Sequence, residues 1–175
     1  MALYYITGTP GAGKSTTLAE LKRRGYTAYE TDDMAAFYNT DTGNKIPHPA
    51  TAAERTPEWR KHHEWRIPAE KVSALRAQSE GITAFLCGVV GNDAEFWHEF
   101  DRVFCLYLSS EETKRRLVDR PGEAHGKNPH ELASTLEWAS YARQQYTDLG
   151  AIIVDASMPV NQVADEIVRL THDRS

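Results

Sequence analysis

A glycine-rich segment at residues 8–15 constrains the fold of this chain more than any other feature. It contains, in order, Gly8, Thr9, Pro10, Gly11, Ala12, Gly13, Lys14 and Ser15, and it matches the pattern G-x-x-x-x-G-K-[ST] completely. An apolar run precedes the segment and a helical pattern follows it. The glycines let the backbone turn tightly and point successive N–H groups at one anion, while the helix adds its positive dipole end. The segment therefore predicts a strand–loop–helix unit that binds phosphate.

Three side chains of this unit have predictable roles. Lys14 would reach the β- and γ-phosphates of a nucleoside triphosphate, and the Ser15 hydroxyl would hold Mg²⁺. Thr16 follows at the start of the helix and completes the predicted phosphate site. A strand-to-helix turn that binds no ligand would not need Lys and Ser at these offsets. We therefore expect the chain to bind a nucleoside triphosphate, with ATP and Mg²⁺ as the cofactors.

Length and charge exclude several classes of protein. A chain of 175 residues corresponds to one domain, so a single domain over residues 1–175 is expected. The net charge of −5 argues against a nucleic acid polymer as partner, because binding a phosphate backbone needs a concentrated basic face. No apolar window approaches the ~18 residues of a membrane span, and the N-terminus does not resemble a secretion signal. A soluble protein without a membrane partner is expected.

The two cysteines indicate the redox environment. Cys87 and Cys105 lie in apolar stretches without C-x-x-C spacing, which favours buried, reduced thiols over a disulfide or a metal site. The sequence therefore predicts a cytoplasmic location.

Apolar runs and helical patterns alternate along the chain, which indicates βαβ units and a parallel sheet. The predicted strands are Leu3–Thr7, Thr27–Glu30, Ile82–Cys87, Val103–Leu108 and Ala151–Val154. Helices are predicted near Glu111–Val118 and Glu131–Tyr146, and a last helix carries apolar residues from Val160 to Leu170. These elements and the phosphate-binding loop predict an α/β fold with a five-stranded parallel sheet.

A long excursion lies between the second and third strands. Residues 39–57 are rich in Pro, Asn, Asp and Gly and read as an irregular loop of a length that is usually functional or disordered. Aromatic and basic residues flank it, and we expect residues 34–80 to form the substrate-binding region. The residues predicted to bind substrate there are Phe37, Trp59, Trp65 and Arg66. An alternative stays open, because Trp65 also falls on one helical face with Ala69, Val72 and Leu75 and would then pack that helix onto the sheet.

Acidic residues end the second strand. Because carboxyl ends of parallel strands line the ligand crevice, Asp32 is expected to lie near the Mg²⁺ and near a hydroxyl to be phosphorylated. Asp32 and Ser15 are thus the predicted metal-binding residues. Asp33 is assigned mostly to the N-cap of a helix beginning at Met34, and Glu30 either contacts metal-bound water or is solvated.

Two arginines four residues apart, Arg116 and Arg120, share a helix face after the fourth strand. Unpaired like charges in that position suggest an anion between them, and phosphoryl transfer needs such charges. The alternative is a solvated basic helix end.

Over nearly its whole length the chain resembles the adenylate-kinase and shikimate-kinase-like group of P-loop small-molecule kinases. This resemblance implies a three-layer α/β P-loop NTPase fold whose five-stranded parallel sheet has the order 2-3-1-4-5. The resemblance implies that Arg116 stacks on adenine, that Arg120 contacts the phosphates, and that residues 119–129 form a short lid. It also places Glu30, Thr31 and Asp32 where shikimate kinases have D-x-D, with Glu replacing the first Asp. Gly88 then falls in the substrate loop at residues 87–92, although this loop is not a triple glycine.

The resemblance implies transfer of the ATP γ-phosphoryl group to a small-molecule acceptor, with Lys14, Asp32 and Arg120 as catalytic residues. The density of aromatic rings favours a nucleoside or nucleotide acceptor. Shikimate-, sugar- and antibiotic-type acceptors remain alternatives on the same fold, and a regulatory ATP-binding module without an acceptor is an alternative from another class. A GTPase would need N-K-x-D, and a motor ATPase would need acids closing the third strand, which instead ends at Cys87. The oligomeric state and the pathway are not readable from the chain.

Overall fold

A computed structural model describes residues 2–119 and 129–173. Its strands are β1 (Ala2–Gly8), β2 (Thr27–Glu30), β3 (Ala36–Asn39), β4 (Lys45–Ile46), β5 (His63–Arg66), β6 (Thr83–Cys87), β7 (Arg102–Tyr107) and β8 (Ile152–Asp155). Its α-helices are α1 (Lys14–Arg23), α2 (Pro57–Lys61), α3 (Ala69–Gln78), α4 (Ser110–Asp119), α5 (Pro129–Asp148) and α6 (Val160–His172). Short 3₁₀ segments cover Thr31–Asp33, Ala52–Glu54 and Asp93–Glu99.

The main sheet is parallel throughout and has the order β2-β6-β1-β7-β8. Its strands coincide with the five predicted ones to within two residues at each end. Counted over all strands of the chain, the order is 2-6-1-7-8 rather than 2-3-1-4-5. The numbering differs because three further strands, which were not predicted, come after β2 and before β6 along the chain. They form a second sheet.

Helices cover both faces of the main sheet, so its strands are apolar on both sides. Tyr4 and Ile6 of β1 point to the layer formed by α1 and α6, where Leu21 and Ile167 are fully buried. The alternate side chains Leu3 and Tyr5 point to the opposite layer with α3 and α5. This three-layer arrangement brings the carboxyl ends of the strands to one edge of the domain.

The second sheet is antiparallel, with the order β4-β3-β5. It corrects the expectations for residues 33–65, which the sequence analysis assigned to an irregular loop and to helices. Residues 39–57 are not wholly irregular, since they contain β4 and a 3₁₀ turn. No α-helix begins at Met34: the 3₁₀ turn Thr31–Asp33 leads into β3, so Asp33 is not an α-helical N-cap.

Trp65 lies in β5 and not on a helix with Ala69. Proline explains the break, because Pro68 disfavours helical backbone at the residue before it, and α3 starts only after it. In the sheet Trp65 pairs with Phe37. Tertiary pairing between β3 and β5 therefore overrides the helical periodicity that the sequence suggests.

Both cysteines are free and buried, as predicted. None of the helices in the described part of the chain has the length and apolar character needed to cross a bilayer. Within residues 2–119 and 129–173, no group of three or more His, Cys, Asp or Glu side chains is placed to hold a metal ion by itself.

Candidate active site

The phosphate-binding loop connects β1 to α1 at the carboxyl edge of the main sheet. Gly13 has φ of 94° and forms the N-cap of α1 in a left-handed conformation that glycine adopts without steric cost. Gly8 has φ of 142°, and a Cβ there would overlap the Leu106 carbonyl of the neighbouring β7. Only glycine allows the loop to lie this close to the sheet.

The Lys14 ammonium lies on the loop itself. It donates hydrogen bonds to the carbonyl oxygens of Gly8 at 2.7 Å and Thr9 at 2.9 Å. This position holds the charge over the anion-binding turn. The Ser15 hydroxyl, one residue further, donates to Glu30 Oε1 at 3.3 Å. The structure thus pairs the predicted metal-binding hydroxyl with Glu30 at the end of β2.

Asp32 lies in the 3₁₀ turn after β2 and is exposed. Its Oδ1 accepts a hydrogen bond from the Trp65 indole Nε1 at 3.3 Å. The two residues predicted as acceptor contacts are therefore direct neighbours, although they are 33 positions apart in sequence.

The turn after β2 lies against the loop after β6. Thr31 is buried, and a Cβ on Gly88 would overlap its hydroxyl. The Gly91 amide donates to the Trp65 carbonyl at 2.8 Å. Three segments that are distant in sequence, namely the 3₁₀ turn, β5 and the loop that begins at Gly88, therefore meet at this edge. We call the space bordered by these three segments and the phosphate-binding loop the crevice.

An aromatic cluster forms the core of the small sheet. Phe37 is 8% exposed, with its ring centroid 4.9 Å from that of Trp59, 4.8 Å from that of Trp65 and 5.2 Å from that of His48. Trp59 stacks on His63 at 4.4 Å. Phe37 thus supports the other rings, while Trp59 and Trp65 remain partly exposed.

Arg66, predicted to contact substrate, forms two ion pairs. Its guanidinium lies 3.1 Å from Glu64 Oε2 and also contacts the Glu95 carboxylate. Glu64 itself packs against Gly91, where a Cβ would overlap its side chain. Arg66 is therefore at the rim of the crevice, with its charge compensated by two acids that the sequence analysis did not single out.

A second ion-pair group connects the segment before β5 to α5. Glu131, 3% exposed, accepts from Arg60 Nη2 at 2.7 Å and from Arg55 Nε at 3.1 Å. Nothing local in the sequence marks Glu131, because its partners are more than 70 positions away.

Arg116 lies over the phosphate-binding loop. Its Nη2 donates to the Ala156 carbonyl at 3.0 Å, its Nε donates to Glu112 at 2.9 Å, and its Nη1 is 3.8 Å from the position of a Cβ on Gly13. Hydrogen bonds from Arg115 and Arg116 lower the pKa of Glu112 to about 2. The arginine is thus held between the loop and the turn after β8. Arg120 and residues 120–128 of the predicted lid lie outside the described residues.

A buried polar chain lies behind the loop and was missed by sequence reasoning. Thr7 donates to Tyr146 Oη at 3.3 Å, and Tyr146 donates to Asp93 Oδ2 at 3.2 Å. The Tyr5 hydroxyl is buried beside them without a hydrogen-bond partner among the described residues. Burial raises the pKa of Asp93 to about 6. Asp93 follows the third predicted strand, at the sheet edge where ligands bind in parallel sheets. That position in the sequence could have identified it as a candidate site residue.

Comparisons with known proteins agree with this architecture. A family model described as an AAA domain (AAA_18) matches residues 5–137. A gluconokinase structure from Sinorhizobium meliloti 1021 has a TM-score of 0.56 at 16% identity, covering 97% of this chain and 93% of that chain. A shikimate kinase from Acinetobacter baumannii in complex with shikimate has a TM-score of 0.61 at 16% identity, covering 98% and 93%.

A deoxyadenosine kinase from M. mycoides with bound dATP has a TM-score of 0.52 at 17% identity, covering 98% of this chain and 100% of that chain. At identities this low, the structural similarity shows a shared fold. No curated protein sequence matches the chain significantly.

Proposed function

The chain belongs to the AAA domain family whose model spans residues 5–137, and on that premise we propose that it is a small-molecule kinase. It transfers the γ-phosphoryl group of ATP to a hydroxyl or phosphate of a small acceptor, most readily a nucleoside or nucleotide. The observation that carries the proposal is the position of Asp32 and Trp65 at the same sheet edge as a complete phosphate-binding loop. A site that only binds nucleotide does not require an aspartate and an aromatic side chain beside the phosphate-binding loop.

The proposed roles follow from the chemistry of each side chain and, for the described residues, from its position. Asp32 accepts the proton of the acceptor hydroxyl, whose oxygen attacks the γ-phosphorus while the bond to the β-phosphate oxygen breaks and ADP leaves. Lys14 and Arg120 stabilise the negative charge on the transferring group. Arg116 stacks on the base, since it lies between Gly13 and Ala156.

The residues present also fit a magnesium ion. The Ser15 hydroxyl and the Glu30 carboxylate, 3.3 Å apart, offer the oxygen ligands that Mg²⁺ prefers, with the remainder coming from phosphate and water. Bound there, the ion would neutralise phosphate charge during transfer. Asp32 was also predicted as a metal residue, and its hydrogen bond to Trp65 favours the acceptor role instead.

The acceptor class is proposed from the partly exposed rings of Trp59 and Trp65, because flat bases stack on such surfaces. Deoxyadenosine kinase, one of the structures to which the chain is similar, is named for a nucleoside. Gluconokinase and shikimate kinase support the alternatives, a sugar-acid or shikimate acceptor, and antibiotics remain a further alternative on this fold. A regulatory ATP-binding module is the alternative from another class, and it predicts ATP binding with no acceptor-stimulated turnover.

The test is a panel of nucleosides, nucleoside monophosphates, sugars, shikimate and aminoglycosides with Mg-ATP, scored by ADP release and by ³¹P NMR of the product. We expect at least one member to raise ADP release well above the acceptor-free rate. Mg-ATP should also raise the melting temperature, because ligand binding to the native state stabilises it. Thermal stabilisation without any phosphorylated product would favour the regulatory module.

A further inference from the structure

We infer that the acceptor is an electrically neutral hydroxyl compound and not a phosphorylated or carboxylated one. This inference rests on the proposed kinase function and names the substrate class of the same site. The sequence leaves the question open, because Arg55, Arg60 and Arg66 lie in the acceptor region and an arginine is the side chain best suited to hold an existing phosphate or carboxylate.

The structure compensates all three arginines with carboxylates of the chain itself. Arg55 and Arg60 share the buried Glu131. Arg66 is paired to both Glu64 and Glu95. A phosphate on the acceptor would have to displace these carboxylates, and displacing Glu131 would break both ion pairs that this buried carboxylate makes with Arg55 and Arg60.

The charges that face the crevice add to this argument. Glu30 and Asp32 lie at the end of β2 beside the phosphate-binding loop, and Glu64 is against the loop at Gly91. Lys71 is a further cation next to this turn, and its ammonium donates to the Met34 carbonyl. Glu64 is already paired with Arg66 and Glu30 is the proposed magnesium ligand, which leaves Asp32 beside Lys71. Among the described residues at this edge there is therefore no surplus positive charge to attract an anionic acceptor.

Neutral hydroxyl acceptors need no such positive charge. A nucleoside would stack on the exposed parts of Trp59 and Trp65, and a polyol would hydrogen-bond to the carboxylates. In both cases the acceptor is an uncharged molecule that presents a hydroxyl to Asp32. The experiment distinguishes a nucleoside from a polyol.

The experiment compares matched neutral and anionic acceptors at equal Mg-ATP: adenosine with AMP, cytidine with CMP, glucose with gluconate, and a cyclic polyol with shikimate. We expect kcat/KM for a neutral member to exceed that of its anionic counterpart by about 10²-fold. Activity on the nucleosides alone identifies a nucleoside kinase, and activity on glucose or the cyclic polyol identifies a polyol kinase. Equal or greater kcat/KM for AMP, CMP, gluconate or shikimate overturns the inference while leaving the kinase proposal intact. No turnover with any of these compounds or with the aminoglycosides of the wider panel overturns the kinase proposal.

Two variants test whether the paired carboxylates cause the selectivity. Glu131→Gln removes the charge shared by Arg55 and Arg60, and Glu95→Gln, at an exposed side chain, removes one of the two acids on Arg66. Each should raise the ratio of anionic to neutral kcat/KM by about 5–10-fold. Glu58→Gln is the matched control, because Glu58 lies in the same region but pairs with Lys61, and its ratio should stay at the wild-type value.

Glu131 is buried, so its variant is first checked by melting temperature. If Glu131→Gln does not fold, Glu95→Gln carries the test alone. An unchanged ratio in the folded variants overturns the claim that these carboxylates select the acceptor.

Discussion

The indole nitrogen of Trp65 donates a hydrogen bond to Asp32 Oδ1 at 3.3 Å. Asp32 belongs to the main sheet's carboxyl edge and Trp65 to the small sheet, so this bond connects the two sheets at the crevice. An exposed aspartate side chain has several rotamers, and a fixed donor selects one of them. The substrate region thereby orients the carboxylate that we propose as the general base.

Replacing Asp32 with Asn should lower turnover by about 10²–10⁴-fold if the carboxylate acts as general base. The affinity for ATP should change little, since the amide keeps the shape of the side chain. Steady-state kinetics with the acceptor found in the panel measure this. A decrease below tenfold would assign the residue to positioning only.

Trp65→Phe removes the indole N–H but keeps an aromatic ring against Phe37. We expect kcat to fall by about 3–10-fold with KM for ATP unchanged, because losing one hydrogen bond releases the Asp32 rotamer. Trp59→Phe is the matched control, since among the described residues the indole that donates to Asp32 is that of Trp65 and not that of Trp59. Equal losses of kcat in both variants would point to the packing of the cluster as the cause.

Lys14→Ala should abolish measurable phosphoryl transfer while the far-ultraviolet circular dichroism stays that of the wild type. The ammonium donates to two loop carbonyls, at 2.7 and 2.9 Å, and does not pack in the core, and its charge is what the transferring group needs. Lys22→Ala, an exposed position in the same helix, should behave as wild type. Transfer at the wild-type rate in Lys14→Ala would contradict the site assignment.

Arg116→Ala should raise the KM for ATP about tenfold and change kcat little, because stacking on the base is a binding contact. Arg115 pairs with the same Glu112 but is 65% exposed, so Arg115→Ala is the matched control and should keep the wild-type KM. If both variants match the wild type, this part of α4 is a solvated helix end.

Asp93 gives the fold a pH dependence with a defined sign. Its pKa in the folded protein is about 6, raised by burial from an ordinary value near 3.8, so the folded state binds the proton more tightly than the unfolded chain. The contribution of Asp93 to the free energy of unfolding should therefore fall as pH rises from about 4 to 6 and stay level above that. Asp93→Asn keeps an acceptor for Tyr146 and should be more stable than wild type at pH 8, by about 2 kcal/mol.

Denaturant unfolding of both proteins at pH 5 and pH 8 measures this difference. The gain of Asp93→Asn over wild type should be smaller at pH 5, where the wild-type carboxyl is mostly protonated. An equal gain at both values would show that the carboxylate is not the titrating group.

Gly88→Ala should destabilise the protein by about 2–3 kcal/mol, because the new Cβ would overlap Thr31. That corresponds to a fall of roughly 5–10 °C in melting temperature for a domain of this size. Gly81→Ala is the control: Gly81 also has positive φ but has open space around it, so only backbone strain of about 1 kcal/mol is expected. Similar losses in both variants would mean that the contact with Thr31 yields easily.

Local sequence patterns were sufficient to predict a strand or helix wherever its structure depends on residues that are close in sequence. The main-sheet strands and helices α4, α5 and α6 follow their predicted positions, because hydrophobic periodicity reflects which face of each element is buried. The prediction failed at residues 34–66, where it gave an irregular loop and helical segments. There the pairing of β3 with β5 decided the backbone, and strand pairing depends on partners that no local pattern contains.

The sequence by itself determined the phosphate-binding loop, since its glycines, Lys14 and Ser15 are consecutive and their chemistry is local. It also determined the fold class, because alternating apolar strands and helices have few stable ways to bury both faces of a sheet. Only the tertiary structure decided that Ser15 faces Glu30, that Asp32 is oriented by Trp65, and that Glu131 compensates Arg55 and Arg60. These contacts join residues 15 to 76 positions apart, and side-chain electrostatics depends on distance in space, which chain order does not specify.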